Sequence, residues 1–243
     1  MRCFVYKQYD SSSYWKSRAA DPGQAAVLWR NQEYNELYRQ IQREILADAL
    51  GNLPKGARIL DVGCGIGVVA RMISELREDV VIDAVDFSEM ISVARKNYLS
   101  PSVQYIESSA EEYDAGPDQY DVIVSSGCYS AIRNILALEK ALALGAKMLK
   151  PGGLMIMIDP FHRWNYLARA KYATRDVAKF LMSKGLILES KSGVLFWPFR
   201  DFLASSNVTG KRLAKFFFLG ERLMHALGSH LWADYKVLRF RKR

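Results

Sequence analysis

A carboxylate followed by three alternating glycines is the first place in this chain where residue types and spacing suggest chemistry. Asp61, Gly63, Gly65 and Gly67 form a D-x-G-x-G-x-G run directly after an apolar segment. Glycines let a backbone turn sharply and approach a ligand closely, because no Cβ intervenes. A helix that follows offers unpaired N–H groups at its start. Taken alone, the run reads as a tight strand-to-helix turn or as a dinucleotide fingerprint, since Gly65, Gly67 and Ala70 fit G-x-G-x-x-G/A. Two acids narrow the choice. Asp61 repels a pyrophosphate but suits a ligand with an ammonium group. Asp86 stands 19 residues beyond Gly67, where a carboxylate accepts hydrogen bonds from both hydroxyls of a ribose.

A ribose with a cationic tail, and no phosphate to hold, describes S-adenosylmethionine (SAM) better than a nicotinamide dinucleotide. The elements around these residues must then place them at one edge of a sheet. Short β-type runs fall at 58–62, 80–85, 103–106, 121–125 and 154–158, with helical stretches at 68–76, 88–97 and 134–149 between them. Such alternation predicts a parallel sheet with helices on both faces, a doubly wound α/β fold. Ligands of such sheets lie beyond the carboxyl ends of the strands. Before the core, residues 1–23 read as polar and irregular, and 24–50 carry apolar residues at helical spacing. After it come a helix near 174–184, a strand near 186–195, helical sequence over 199–231 and a last strand at 234–240.

At this point the chain resembles the class I SAM-dependent methyltransferases. The resemblance rests on the 61–67 loop, Val85 to Met90, Ser109-Ala110-Glu111, Tyr120 to Ser125, and the Leu-Lys-Pro-Gly-Gly run 149–153, in the family's order over residues 55–160. It implies a seven-stranded, mostly parallel sheet with an antiparallel last strand. It implies SAM as cofactor and S-adenosylhomocysteine (SAH) as product. It implies that Asp61, Gly63 and Gly65 surround the methionine moiety, that Cys64 and Gly67 belong to the same cofactor loop, and that Ser125 and Ser126 line the methionine side. Asp86 would bind the ribose, Phe87 would pack beside the adenine, and Ala110 and Glu111 would follow the adenine edge. Ser109 stands where the family often has an acid, which leaves that contact to a hydroxyl or to water. Tyr14 and Arg18 lie in a segment similar to one that folds over the cofactor in several small-molecule methyltransferases, with Arg18 on the methionine carboxylate.

Methyl transfer to a hydroxyl needs a base. Of three histidines, His162 follows the fifth strand directly and is the candidate; several O-methyltransferases resembling this chain have a histidine in that region. An exposed loop histidine is the equal alternative. Asp159 is a second candidate base, or the cap of the next segment. His225 and His230 read as structural or surface residues. No H-x-x-x-H or C-x-x-C spacing occurs, so no metal is expected. Residues 161–173 mix aromatics and cations and suit an acceptor site. Residues 196–232 read as a helical insertion before the last strand. Within it Phe216, Phe217, Leu223, Met224 and Leu227 can form one apolar helix face, either a lid or a membrane contact over 211–231.

The whole reads as a single domain over 1–243: a helical cap to 54, a SAM-binding core over 55–160 and substrate-side segments over 161–243. The formal charge is +8. It allows a nucleic acid, a membrane surface or an anionic substrate, but no nucleic-acid module is recognisable and that partner is not expected. Three cysteines, no apolar run of membrane-spanning length and no signal-peptide pattern point to a cytoplasmic protein, with membrane association left open. The oligomeric state is open. The expected function is O-methylation of a small or lipid-linked acceptor, such as a glycolipid, glycan or secondary metabolite. N- or C-methylation, or SAM binding without catalysis, are the alternatives.

Overall fold

The computed structural model describes residues 10–161 and 172–243. Seven strands form one sheet in the order β3-β2-β1-β4-β5-β7-β6. They are β1 (Arg58–Val62), β2 (Val81–Asp86), β3 (Val103–Glu107), β4 (Tyr120–Ser126), β5 (Leu149–Asp159), β6 (Leu186–Phe196) and β7 (Ala233–Lys242). The first five run parallel, and β7 is antiparallel to both β5 and β6. The central strands are apolar on both faces because helices cover both; Ile59, Leu60, Val122, Ile123 and Ile156 are all fully buried.

Helices α3 (Val68–Leu76), α4 (Ser88–Asn97), α5 (Ile135–Met148) and α6 (Thr174–Ser183) connect the strands. Ahead of the sheet, α2 (Gln32–Leu50) buries Tyr34, Tyr38, Gln42, Leu46 and Leu50 at four-residue spacing. Asn31 caps it by accepting the N–H of Tyr34, and donates its amide to the carbonyls of Leu203, Ser206 and Val208. That single side chain ties the start of α2 to the far end of the sequence.

Three regions differ from the sequence reading. The polar stretch before residue 23 is not wholly irregular: α1 (Ser11–Arg18) forms there, capped by Asp10, which accepts the N–H of Ser13 at 3.0 Å. β5 begins at Leu149 rather than at 154, because Leu149 already pairs with Tyr120; the register then shifts across the Pro-Gly-Gly turn before Leu154 pairs with Val122. The 199–231 stretch divides into α7 (Trp197–Leu203), α8 (Gly210–Leu227) and α9 (Ser229–Trp232). Within α8 the five apolar residues do not share a face: Phe217 and Met224 are buried, while Phe216, Leu223 and Leu227 are exposed. His225 is exposed, and His230 meets the Ser192 carbonyl at 3.2 Å.

Candidate functional site

The carboxyl ends of β1, β2 and β4 open into a cavity of about 1030 Å³. That is at the top of the range of about 300–1,000 Å³ for ligand pockets, enough for two ligands side by side. The glycine loop forms its floor. Gly63 has φ 71°, which only glycine adopts freely, and its N–H bonds the Val85 carbonyl at 2.8 Å. A Cβ on Gly63 would sit 2.3 Å from that of Cys128. The β1 and β4 loops therefore meet with no room for a methyl group.

Asp86 locks the loop to β2: its Oδ2 accepts the Gly65 N–H and its Oδ1 the Phe87 N–H, both at 2.7 Å. Burial nevertheless raises its pKa to about 6. Asp61, only 1% exposed, lies beneath the same loop, and neither of its oxygens has a hydrogen-bond partner among the described residues. Burial, and then the nearby Asp86 charge, push its pKa up to about 7, against the pull of Arg39 and of the Ala70 N–H, which approaches without the geometry of a hydrogen bond. Buried polar groups are rarely left unpaired, at a cost of about 1–3 kcal/mol each. Two more orphans line the cavity, the Ser109 hydroxyl and the Trp15 indole N–H. A ligand with a cation at one end and polar edges elsewhere would satisfy all three.

Gly63, Cys64, Gly65, Asp86, Phe87, Ser109, Ala110, Glu111, Ser126, Tyr14 and Arg18 all line this cavity. Other expected site residues do not, and Asp61 is one of them, buried beneath the loop rather than on the cavity surface. Gly67 begins α3 at φ 86°, packed against Tyr105. Ser125 is fully buried and donates to Asp159 Oδ2 at 3.2 Å. Asp159 is itself fully buried, with Oδ1 accepting the Ser130 N–H at 3.0 Å. Both oxygens are engaged behind the cavity wall, so Asp159 braces the β4 and β5 ends rather than reaching an acceptor as a base. Arg18 is also otherwise occupied. Its Nε pairs with Asp21 at 2.6 Å, Nη1 bonds the Tyr14 hydroxyl, and Nη2 bonds the carbonyls of Ala25 and Leu28. Its guanidinium holds the cap together instead of offering a fork to a carboxylate. His162 lies outside the described residues, as does most of the 161–173 stretch; Tyr172 donates to the Arg133 carbonyl at 2.8 Å.

Several cavity residues carry no signal in a local motif. Arg39 donates to Gln24 and Gln42 through Nε and Nη1, at 3.1 and 2.6 Å, and no bond of its Nη2 to another described residue is present. The one hint is Gln42, a polar residue at a core position of α2, which bonds the Tyr38 and Ser126 hydroxyls at 3.0 and 2.7 Å. The opposite wall is aromatic. Trp29 and Tyr235 meet edge to face at 5.8 Å, and Arg200 lies 5.8 Å over the Trp29 ring, with Nε on Asp234 at 2.6 Å. Burial holds the Tyr235 hydroxyl well above its usual pKa, hence neutral.

Known proteins resemble the chain in part of its sequence and in its fold. Residues 59–153 match the family model described as a methyltransferase domain. The chain is 27% identical over 169 residues to a ubiquinone biosynthesis O-methyltransferase of Bradyrhizobium diazoefficiens, covering 60% of this chain and 64% of that protein. It is 32% identical over 127 residues to a ubiquinone/menaquinone biosynthesis C-methyltransferase of Vibrio parahaemolyticus, covering 49% and 47%. The match thus spans less than two thirds of these relatives' length. Among solved structures, the N-methyltransferase NodS of Bradyrhizobium japonicum, in complex with SAH, superposes with a TM-score of 0.63 at 14% identity over 96% of this chain and 99% of its own. The [4+2]-cyclase SpnF superposes with a TM-score of 0.62 at 16% identity, covering 83% and 80%. At such identities these two share the fold.

Proposed function

We propose that the chain, whose residues 59–153 match a methyltransferase domain, is a class I SAM-dependent methyltransferase that methylates a hydroxyl of a small or amphiphilic acceptor held against Trp29 and Tyr235. The observation that carries this reading is the buried, unpartnered Asp61 carboxylate beneath a glycine loop. SAM, when bound, supplies a methyl group already activated on a sulfonium. The protein's task is to position it and to exclude water.

Asp61 takes the ammonium group, which offsets the burial that otherwise favours its neutral form. Arg39, with Nη2 directed to no described side chain, takes the carboxylate in the role expected of Arg18. Asp86 keeps lone pairs for the ribose hydroxyls beyond the two N–H groups it already accepts. Ser109 meets the adenine edge and Phe87 its face. At the acceptor end Trp29 offers a flat apolar surface, and the neutral Tyr235 hydroxyl offers one hydrogen bond. His162, one residue beyond the buried Phe161, is the base assigned to the acceptor hydroxyl.

One observation supports a second reading, C- or N-methylation. The acids on the acceptor wall, Asp201 and Asp234, both face Arg200, so no described carboxylate there is free to take a proton. The relatives include a C-methyltransferase by name. Calorimetry with SAH tests the cofactor half: Asp61→Asn and Asp86→Ala should each weaken binding by about tenfold or more, ~1.4 kcal/mol. Unchanged affinity would remove the assignment. Transfer of labelled methyl from SAM to a panel of catechols, phenols and amines tests the acceptor half. His162→Ala should abolish O-methylation while sparing SAH binding, whereas full activity would favour the second reading.

A further inference from the structure

The solvent side of α8 differs from the rest of the surface in what it carries. Its inner stripe, Leu213, Phe217, Gly220, Glu221 and Met224, is buried. Glu221 is the helix's sole acid, and it is turned inward, accepting the N–H groups of Leu195 and Phe196 at 3.2 and 3.0 Å. Outside remain Phe218, 47% exposed on the side of the cations, and a set of four, Phe216, Leu219, Leu223 and Leu227, exposed by 43, 41, 39 and 55%. Their spacing of three, four and four residues makes them one stripe. Lys211, Lys215 and Arg222 make a second stripe beside it, again at helical spacing.

Several surface cations elsewhere have acidic partners, Arg71 with Glu75, Arg95 with Glu107, Lys147 with Asp114 and Arg239 with Asp48, while Lys55, Lys96, Lys140 and Lys179 stand singly rather than in a stripe beside apolar side chains. No cation of α8 forms an ion pair among the described residues. α7, packed on α8, adds Phe202, 67% exposed, and Leu231 of α9 adds a side chain 76% exposed. The same α7 lines the cavity through Arg200 and Asp201.

We infer that α8 lies in the headgroup plane of an anionic bilayer, with Phe216, Leu219, Leu223 and Leu227 in the acyl boundary and Lys211, Lys215 and Arg222 among the phosphates. An apolar stripe flanked by unpaired cations is the pattern of an in-plane helix. At 18 residues, α8 is about 27 Å long, ample for such contact. A second copy of the chain is the poorer occupant. A symmetric contact through this face would set cation against cation, with no outward-facing acid on α8 to relieve them, since Glu221 is turned inward. No helix among the described residues is long and apolar enough to cross a membrane, so the contact is peripheral. It does not depend on which acceptor is methylated.

The full chain should co-sediment with vesicles of phosphatidylcholine and phosphatidylglycerol, and much less with phosphatidylcholine alone. Each basic residue at an anionic surface contributes a substantial share of binding. Lys211→Glu, Lys215→Glu and Arg222→Glu together should therefore lower partitioning by about tenfold or more, as should high salt. Phe216→Ser with Leu223→Ser should lower it comparably. SAH affinity should stay at the unaltered chain's value in both variants, since none of these residues lines the cavity; that shows they fold. Absence of sedimentation with anionic vesicles, or sedimentation that neither variant changes, would overturn the inference. So would a dimer in velocity sedimentation that Phe216→Ser with Leu223→Ser dissolves while vesicles remain unbound.

Discussion

In the proposed reading Asp61 governs the donor end, and its burial would give cofactor binding a pH dependence with a defined sign. Its pKa, and that of Asp86, are raised to about 7 and about 6 from an ordinary 3.8. Raised carboxylates stabilise the ligand-free fold while protonated, and that contribution is lost as pH rises through those values. An ammonium group reverses the preference, because it binds the ionised form. Affinity for SAH should therefore climb as pH rises through 6 to 7 and level off above. Calorimetry across a pH series reads this directly. Asp61→Asn should flatten the upper part of the curve, and an unchanged curve would contradict the assignment. Asp61 and Asp86 were legible in the sequence because each sits at a fixed offset from a glycine turn. Arg39 was not, since it reaches the cavity from α2, whose packing against the glycine loop is a tertiary fact. Arg18 misled for the same reason: its partners Asp21, Ala25 and Leu28 are set by how the chain turns after α1.

At the scale of elements, the substrate side hangs on a few buried polar contacts. Asn31→Ala removes the cap of α2 and takes the amide donor from the Ser206 and Val208 carbonyls, while the Leu203 carbonyl keeps the Ser206 N–H and hydroxyl. Cap loss alone costs about 1 kcal/mol and an orphaned polar group about 1–3 kcal/mol. Chemical denaturation should thus show a loss of about 2 kcal/mol or more, with SAH affinity lowered less than stability. Glu221→Ala should likewise destabilise by about 1–3 kcal/mol, because it strips two N–H groups at a corner where Leu195 holds φ 66°. The alternation of strands and helices was legible from periodicity, since burial on one face imposes it. β5 was read short because Pro-Gly-Gly marks a turn, yet a strand can resume its ladder across a register shift. Residues 196–232 were read as helical but not divided, because the faces of α8 depend on the neighbours it covers.

For the whole molecule, the sheet separates two duties. On the proposed reading, the ends of β1 to β4 together with Arg39 of α2 hold the donor, while Trp29, α7 and β7 supply the acceptor wall. The cap closes over the donor: Trp15 packs with Ala26, Ile66 and Met90 and leaves its indole N–H facing the cavity. SAH should slow hydrogen exchange over residues 11–26 and shift Trp15 emission, because a filled cavity ties the cap to the core. Equal exchange with and without SAH would mean that the cap closes independently of the ligand.

The contact between Gly63 and Cys128 bears on how such a chain can diversify. A loop that leaves no space for one methyl group cannot be retuned a residue at a time, so the donor half is frozen by its own packing. The wall around Trp29, Arg200 and Tyr235 is held by side-chain contacts, ring against ring and Arg200 on Asp234, rather than by a glycine that admits no Cβ. In a library randomised over both halves, survivors with altered acceptor choice should carry their changes at 29, 200 and 235 and keep glycine at 63. The same frame can then serve a succession of acceptors without relearning how to hold its methyl donor.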